Sequence, residues 1–186
     1  MTQRITRSVR DFVLPLEPSG NLDASLSFQL EEDAAAQGIR LHSKVQKRLA
    51  REHPDLQSER AVLWTFQARE DFECLVRGRI DVFIPGSAPM VEEIKTTFQP
   101  HGLIQALAAH PSHPFAQQVR MYAWILAQKD GTVPTCRLRV ISLLDESETL
   151  VEIAFDLDSF LVWVEAQVQG LYAQHLQSLA RAAQRK

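Results

Sequence analysis

Apolar and polar positions recur along this chain with two periods, near two and near three and a half, and the switches between them mark the elements. Residues 5–16 (ITRSVRDFVLPL) hold an apolar, β-branched run that predicts a strand, and 18–25 (PSGNLDAS) reads as a loop. Residues 32–52 carry a helical pattern with a basic stripe, Lys44, Lys47, Arg48 and Arg51 recurring at three- and four-residue spacings. His53-Pro54-Asp55 ends it, because the residue before a proline avoids helical backbone. Segments 61–67, 72–84 and 90–97 are strand-like, and the turn residues PGSAP at 85–89 join the last two into a hairpin. Residues 114–128 predict the clearest helix, with Pro114 in its first turn and Asp130-Gly131 closing it. Two more strands follow at 136–143 and 149–155, then a long amphipathic helix over 157–183. The order is strand, helix, three strands, helix, two strands, helix. It predicts the α/β class, a central mixed β-sheet flanked by α-helices.

Length and composition narrow the picture. The 186 residues suit one domain: a strand and loop over 1–30, a core over 32–156 and a terminal helix over 157–186. Hydrophobic residues make up 45% and charged residues 23%, as in soluble globular chains. No run reaches the roughly 18 apolar residues of a membrane span, so no membrane partner is expected. The start, MTQRITRSVRDF, lacks the apolar stretch of a signal peptide, which makes a cytoplasmic location the expectation. Cys74 and Cys136 are the only cysteines, too few for a disulfide framework or a four-cysteine metal site. The formal net charge of −3 argues against a uniformly basic nucleic-acid binder, yet an acidic site beside a local basic patch gives the same total.

Candidate chemistry lies on the hairpin. Centring it on Ser87 puts position 81 opposite 93, and opposed residues share a face with Cβ atoms about 4.5–5.5 Å apart. Asp81 and Glu93 would then stand side by side, with Lys95 two residues on along the same face. Ile80, Val82 and Ile84 would form a uniform core face, with Asp81 opposite them beside Arg79 and Phe83. Two carboxylates that close repel by about 4 kcal/mol at an effective dielectric of about 20. A divalent cation offsets that repulsion, since Mg²⁺ takes carboxylate oxygens and keeps several waters. With an ammonium beside it, such a site has what phosphodiester hydrolysis requires. A solvated acid–acid–lysine grouping on a hairpin surface carries the same three residue types.

Neighbouring residues extend the pattern. His42 shares a helix face with Gly38, Val45 and Leu49, so it points inward, as a core histidine or as a ligand. Gln118 and Tyr122 are four apart and share a face, either as packing residues with polar tips or as site residues. Lys44, Lys47, Arg48 and Arg51 form either a phosphate-tracking stripe or a solvated face, and Arg120 is the better phosphate candidate. His101, His110 and His113 read as loop residues and not as a metal cluster, since their spacing fits no metal motif.

Gly38-Ile-Arg-Leu-His42, Asp81 with Glu93-Ile94-Lys95, and Gln118-Val-Arg-Met-Tyr122 occur in that order. Together they resemble the RecB-like branch of the PD-(D/E)XK nucleases, over about residues 38–122. The branch includes the nuclease domains of RecB and AddAB and the CRISPR-associated adaptation nucleases. The resemblance implies a restriction-endonuclease-like core and an Mg²⁺- or Mn²⁺-dependent deoxyribonuclease acting on single-stranded DNA or DNA ends. It implies His42, Asp81, Glu93 and the backbone carbonyl of Ile94 as metal ligands, and Lys95 as the catalytic lysine. Gln118 and Tyr122 would position Lys95 or the DNA backbone, and Arg120, Lys44 and Arg48 would meet nucleic acid. The cluster-binding cysteines of several relatives are missing, so no iron–sulfur cluster is expected. The basic end of the last helix carries no stop signal. The further expectation is a module fused to, or working beside, a DNA repair helicase such as the DinG-like helicases. The competing expectation is a nucleic-acid-binding module that keeps the fold without cutting.

Overall fold

Strand β3 (Phe72–Ile84) organises the sheet in the computed structural model, which describes residues 3–16 and 28–184. One edge of β3 pairs antiparallel with β2 (Gln57–Arg69) along almost its whole length. Its other edge is shared by two strands. The first half takes β1 (Gln3–Ser8) in parallel, from Gln3 opposite Phe72 to Ser8 opposite Arg77. The last three residues take β4 (Met90–Thr97) antiparallel, from Val82 opposite Glu92 to Ile84 opposite Met90. Residues 78–81 pair with neither, so the sheet opens a seam there. β4 runs parallel to β5 (Thr135–Ser142), which pairs antiparallel with β6 (Glu148–Ile153).

Helices close both faces, as the alternation predicts. On one face α2 (Phe28–Glu52) sets Leu41, Val45 and Leu49 against Val82, Ile94, Ile141 and Leu143. The other face holds the larger core. There α1 (Val9–Phe12), α4 (Pro114–Asp130) and α5 (Leu157–Gln184) pack on Val76, Ile80, Phe83, Val91, Cys136 and Leu138. Every residue from Ala116 to Ala127 except Arg120 is buried on α4, which makes it the central helix of this layer. It stops at Gly131, whose φ of 70° is open to glycine at no steric cost. Both cysteines are free and buried, and burial pushes their thiols up to about 11 for Cys74 and about 12 for Cys136. Among the described residues no helix is long and apolar enough to cross a membrane.

Four expectations change. The strand read over 5–16 is the short β1 followed by α1, because Ser8 caps a helical turn by accepting from the Asp11 N–H at 3.0 Å. The strand read over 61–67 runs from Gln57 to Arg69. A helix, α3 (Pro100–Ala109), lies between β4 and α4 where none was expected. His101 therefore sits in α3 and is not a loop residue, while His110 and His113 bound the short loop between α3 and α4, as expected. The loop expected at 18–25 lies outside the described residues.

Candidate active site

The hairpin register centres on Ser87, as the turn residues predict, but the ladder stops at the Val82–Glu92 pair. Asp81 and Glu93 are the next positions, just inside the seam. There the Asp81 side chain replaces a backbone acceptor: its Oδ2 takes the Ile94 N–H at 2.7 Å. A strand residue points its N–H and C=O to the same edge. The Ile94 carbonyl therefore faces the seam that holds Asp81.

The expected uniform face of Ile80, Val82 and Ile84 is not formed. Ile80 packs in the α4-side core and Val82 in the α2-side core, so the alternation slips between them, at Asp81. Across β2, Glu59 occupies the facing position with a φ of 54°. An irregularity matched on both strands turns the chain, and it leaves the Asp81 carboxylate in the plane of the seam.

Glu93 points to the α4 side. Its Oε1 accepts from Lys95 Nζ at 2.8 Å and from Gln118 Nε2 at 2.7 Å, and Gln118 Oε1 accepts from Lys95 Nζ at 3.0 Å. Gln118 Nε2 also lies 3.3 Å from the Tyr122 hydroxyl. The Lys95 ammonium stands 4.6 Å over the ring of Phe115, a cation–π contact the sequence did not disclose. Gly78 lets the Tyr122 ring lie on β3, since a Cβ there would meet Tyr122 Cε1 at 2.7 Å and Val9 Cγ2 at 2.9 Å. From the α2 side, His42 brings Nδ1 to 3.8 Å from Asp81 Oδ2.

Burial dominates the electrostatics. It pushes the Glu93 carboxyl up to about 8, with Lys95 opposing and Asp81 adding to the shift. It raises Asp81 as well, against the Ile94 N–H, His42 and Lys95. Tyr122 is held well above the usual phenol range by burial and by Glu93. Glu93 Oε2 is buried without a hydrogen-bond partner, an orphaned acceptor in an acidic seam.

That orphaned oxygen fits a hard cation. No three His, Cys, Asp or Glu side chains among the described residues stand together as a complete ligand set. A bound ion would draw on two carboxylates, the Ile94 carbonyl and water, a set suited to Mg²⁺ or Mn²⁺ because such ions keep several waters.

The expected nucleic-acid residues lie elsewhere. Arg120 donates to the carbonyls of Ala154 and Pro111 and to Gln117, tying α4 to the chain before α5. Lys44 pairs with Glu146, and Arg48 with Glu148. Those two and Lys47 and Arg51 line a groove of about 510 Å³ with Glu146 and Glu148. His42 and Gln46 line a separate cavity of about 350 Å³ with Glu59 and Thr96. The basic stripe is thus on the flank of α2 opposite the seam. Two site neighbours escaped the sequence reading, Gln46 and Glu59. Gln46 follows His42 by one helical turn, which was the available signal.

No known family profile matches the chain, and no curated protein matches it. Solved structures do. The crystal structure of SSO0001 superposes with a TM-score of 0.63 at 18% identity, covering 94% of this chain and 78% of that one. The alkaline exonuclease LHK-Exo from Laribacter hongkongensis gives 0.53 at 14% identity, covering 97% and 94%. LHK-Exo in complex with dAMP gives 0.52 at 16% identity, covering 82% and 75%. At these identities the likeness is one of fold. The chain has a mixed-sheet α/β architecture shared with these structures.

Proposed function

We propose that this chain is a divalent-cation-dependent nuclease that hydrolyses phosphodiester bonds in DNA. The observation that carries the reading is the unpartnered, buried Glu93 oxygen next to Asp81 and Lys95, inside a sheet seam. The shared fold with an exonuclease supports it, and the dAMP complex of that exonuclease supports a deoxyribonucleotide substrate. Asp81, Glu93 and the Ile94 carbonyl are the residues that would hold Mg²⁺ or Mn²⁺, with His42 as a further ligand. When bound, such an ion supplies an acidified water and offsets charge on the phosphate.

The chain's own residues do the rest. Lys95 has three N–H donors, and Glu93 and Gln118 engage two of them. The third is left for a phosphate oxygen or the attacking water, where charge develops. Gln118 holds Lys95 and Glu93 in one network, and Tyr122 steadies Gln118. Single strands or duplex ends as substrates, and a partner that unwinds DNA such as a DinG-like helicase, are supported by the RecB-like resemblance of the motifs.

The test uses labelled single-stranded, blunt and flapped DNA with Mg²⁺ or Mn²⁺, with and without EDTA. Cleavage by the wild type should stop in EDTA, and Lys95→Ala and Asp81→Asn should lose at least about 100-fold in rate. DNA bound but never cut would assign a binding module instead. Cleavage that survives both substitutions would remove these residues from the site.

A further inference from the structure

We propose that Gln46 and Glu59 form a positioning pair that sets Asp81 in the seam, so that divalent-cation affinity depends on them. The proposal rests on the reading of Asp81 as a cation ligand. Its geometry is independent of that reading. Gln46 Nε2 donates to the Asp81 backbone carbonyl at 2.9 Å and to Glu59 Oε1 at 2.9 Å. Glu59 lies opposite Asp81, between the Ser58–Val82 and Arg60–Ile80 pairs, yet its left-handed backbone takes it out of the ladder. Gln46 therefore stands where the facing strand would bind the Asp81 backbone.

Asp81 is consequently held at two points. The Ile94 N–H fixes its carboxylate from β4, and the Gln46 amide fixes its carbonyl from α2. Glutamate gains nothing from a φ of 54°, a conformation that L side chains avoid. In this conformation it accepts the Gln46 hydrogen bond. Without the clamp, Asp81 and Glu59 are free to pair as ordinary strand residues. The slip in alternation would then relax, and the carboxylate would turn out of the plane of the seam. Partners that orient a ligand in this way are worth about 10- to 100-fold in metal affinity or activity.

The experiment titrates Mn²⁺ into the full chain, reads free Mn²⁺ by electron paramagnetic resonance, and records thermal melting for each variant. Gln46→Ala should bind Mn²⁺ about 10-fold more weakly than wild type. Glu59→Gly relieves the left-handed backbone but removes the acceptor. It should melt no lower than wild type and still bind Mn²⁺ about 10-fold more weakly. Glu59→Gln keeps an acceptor for Gln46 and drops only the charge, and should stay within about threefold of wild type. Wild-type affinity in Gln46→Ala would overturn the proposal. So would Glu59→Gln binding as weakly as Glu59→Gly, since charge alone would then explain the effect. If Gln46→Ala does not fold, the two Glu59 variants decide between the same outcomes. A different result sinks the cation-site reading itself, and the proposal with it: no Mn²⁺ binding by wild type, or unchanged affinity in Asp81→Asn.

Discussion

Glu93 sits where neither of its protonation states is comfortable. Ionised, it leaves Oε2 buried without a donor; neutral, it weakens the Lys95 pair on Oε1. Burial decides the balance and lifts its pKa to about 8, against an ordinary value of 4.5. Between those values the folded chain keeps a proton that the unfolded chain has released. The contribution to stability is therefore complete below about pH 4.5 and is lost as pH rises through about 8. Asp81 is raised too and acts in the same direction. In EDTA the wild type should lose on the order of 1 kcal/mol per pH unit from this group across the window. Glu93→Gln has no such proton, so its melting temperature in EDTA should be flatter between pH 5 and 8. Parallel pH slopes for the two proteins would show that Glu93 does not titrate as described.

At the scale of elements, a single turn fixed more than any periodicity. PGSAP places Ser87 at the hairpin centre, and the register that brings Asp81 and Glu93 together follows from local residues alone. The faces did not follow, because the slip at Asp81 depends on Glu59 in β2 and Gln46 in α2, both distant in sequence. Helix α3 was legible in part: Pro100 opens it, and Leu103 and Leu107 share a face. The stretch its histidines flank nevertheless reads as loop-rich in sequence. Ser8 and Asp11 likewise spelled a helix cap inside an apolar run that read as a strand. Gly78 shows how element packing reaches the site. It is where α4 lays Tyr122 on β3, and an added methyl would meet the ring 2.7 Å away. Gly78→Ala should cost about 1–3 kcal/mol and move Tyr122 off Gln118. Urea unfolding checks the first part, and tyrosine fluorescence or absorbance the second. An alanine variant with wild-type stability would mean that the ring has room to retreat.

On the scale of the whole molecule, the two faces of the sheet are secured by different means. The α4 side is a continuous apolar core, whereas the α2 side joins a smaller apolar cluster to a chain of charges. Glu92 is fully buried on that side and accepts from Arg137 at 2.6 Å and from Arg139 at 2.5 Å. Arg139 also reaches Glu148, and Glu148 reaches Arg48 on α2 at 2.7 Å. The chain of charges runs from the strand that carries Glu93 out to the helix that carries His42, so it ties α2 to the sheet beside the seam. Its links differ in value because they differ in burial. Arg48 is 47% exposed, and a pair at that exposure is worth at most about 1 kcal/mol. Glu92 has no access to solvent, and its removal strands Arg137 and leaves the buried Arg139 with Glu148 alone, a loss of about 3–5 kcal/mol. Arg48→Ala should therefore shift the urea midpoint slightly, and Glu92→Ala should shift it several times as far. Glu92→Gln should fall between them, since it keeps hydrogen-bonding atoms and removes the charge. Equal losses for Arg48→Ala and Glu92→Ala would mean that α2 is held by the apolar cluster alone, with the charges adding only solubility.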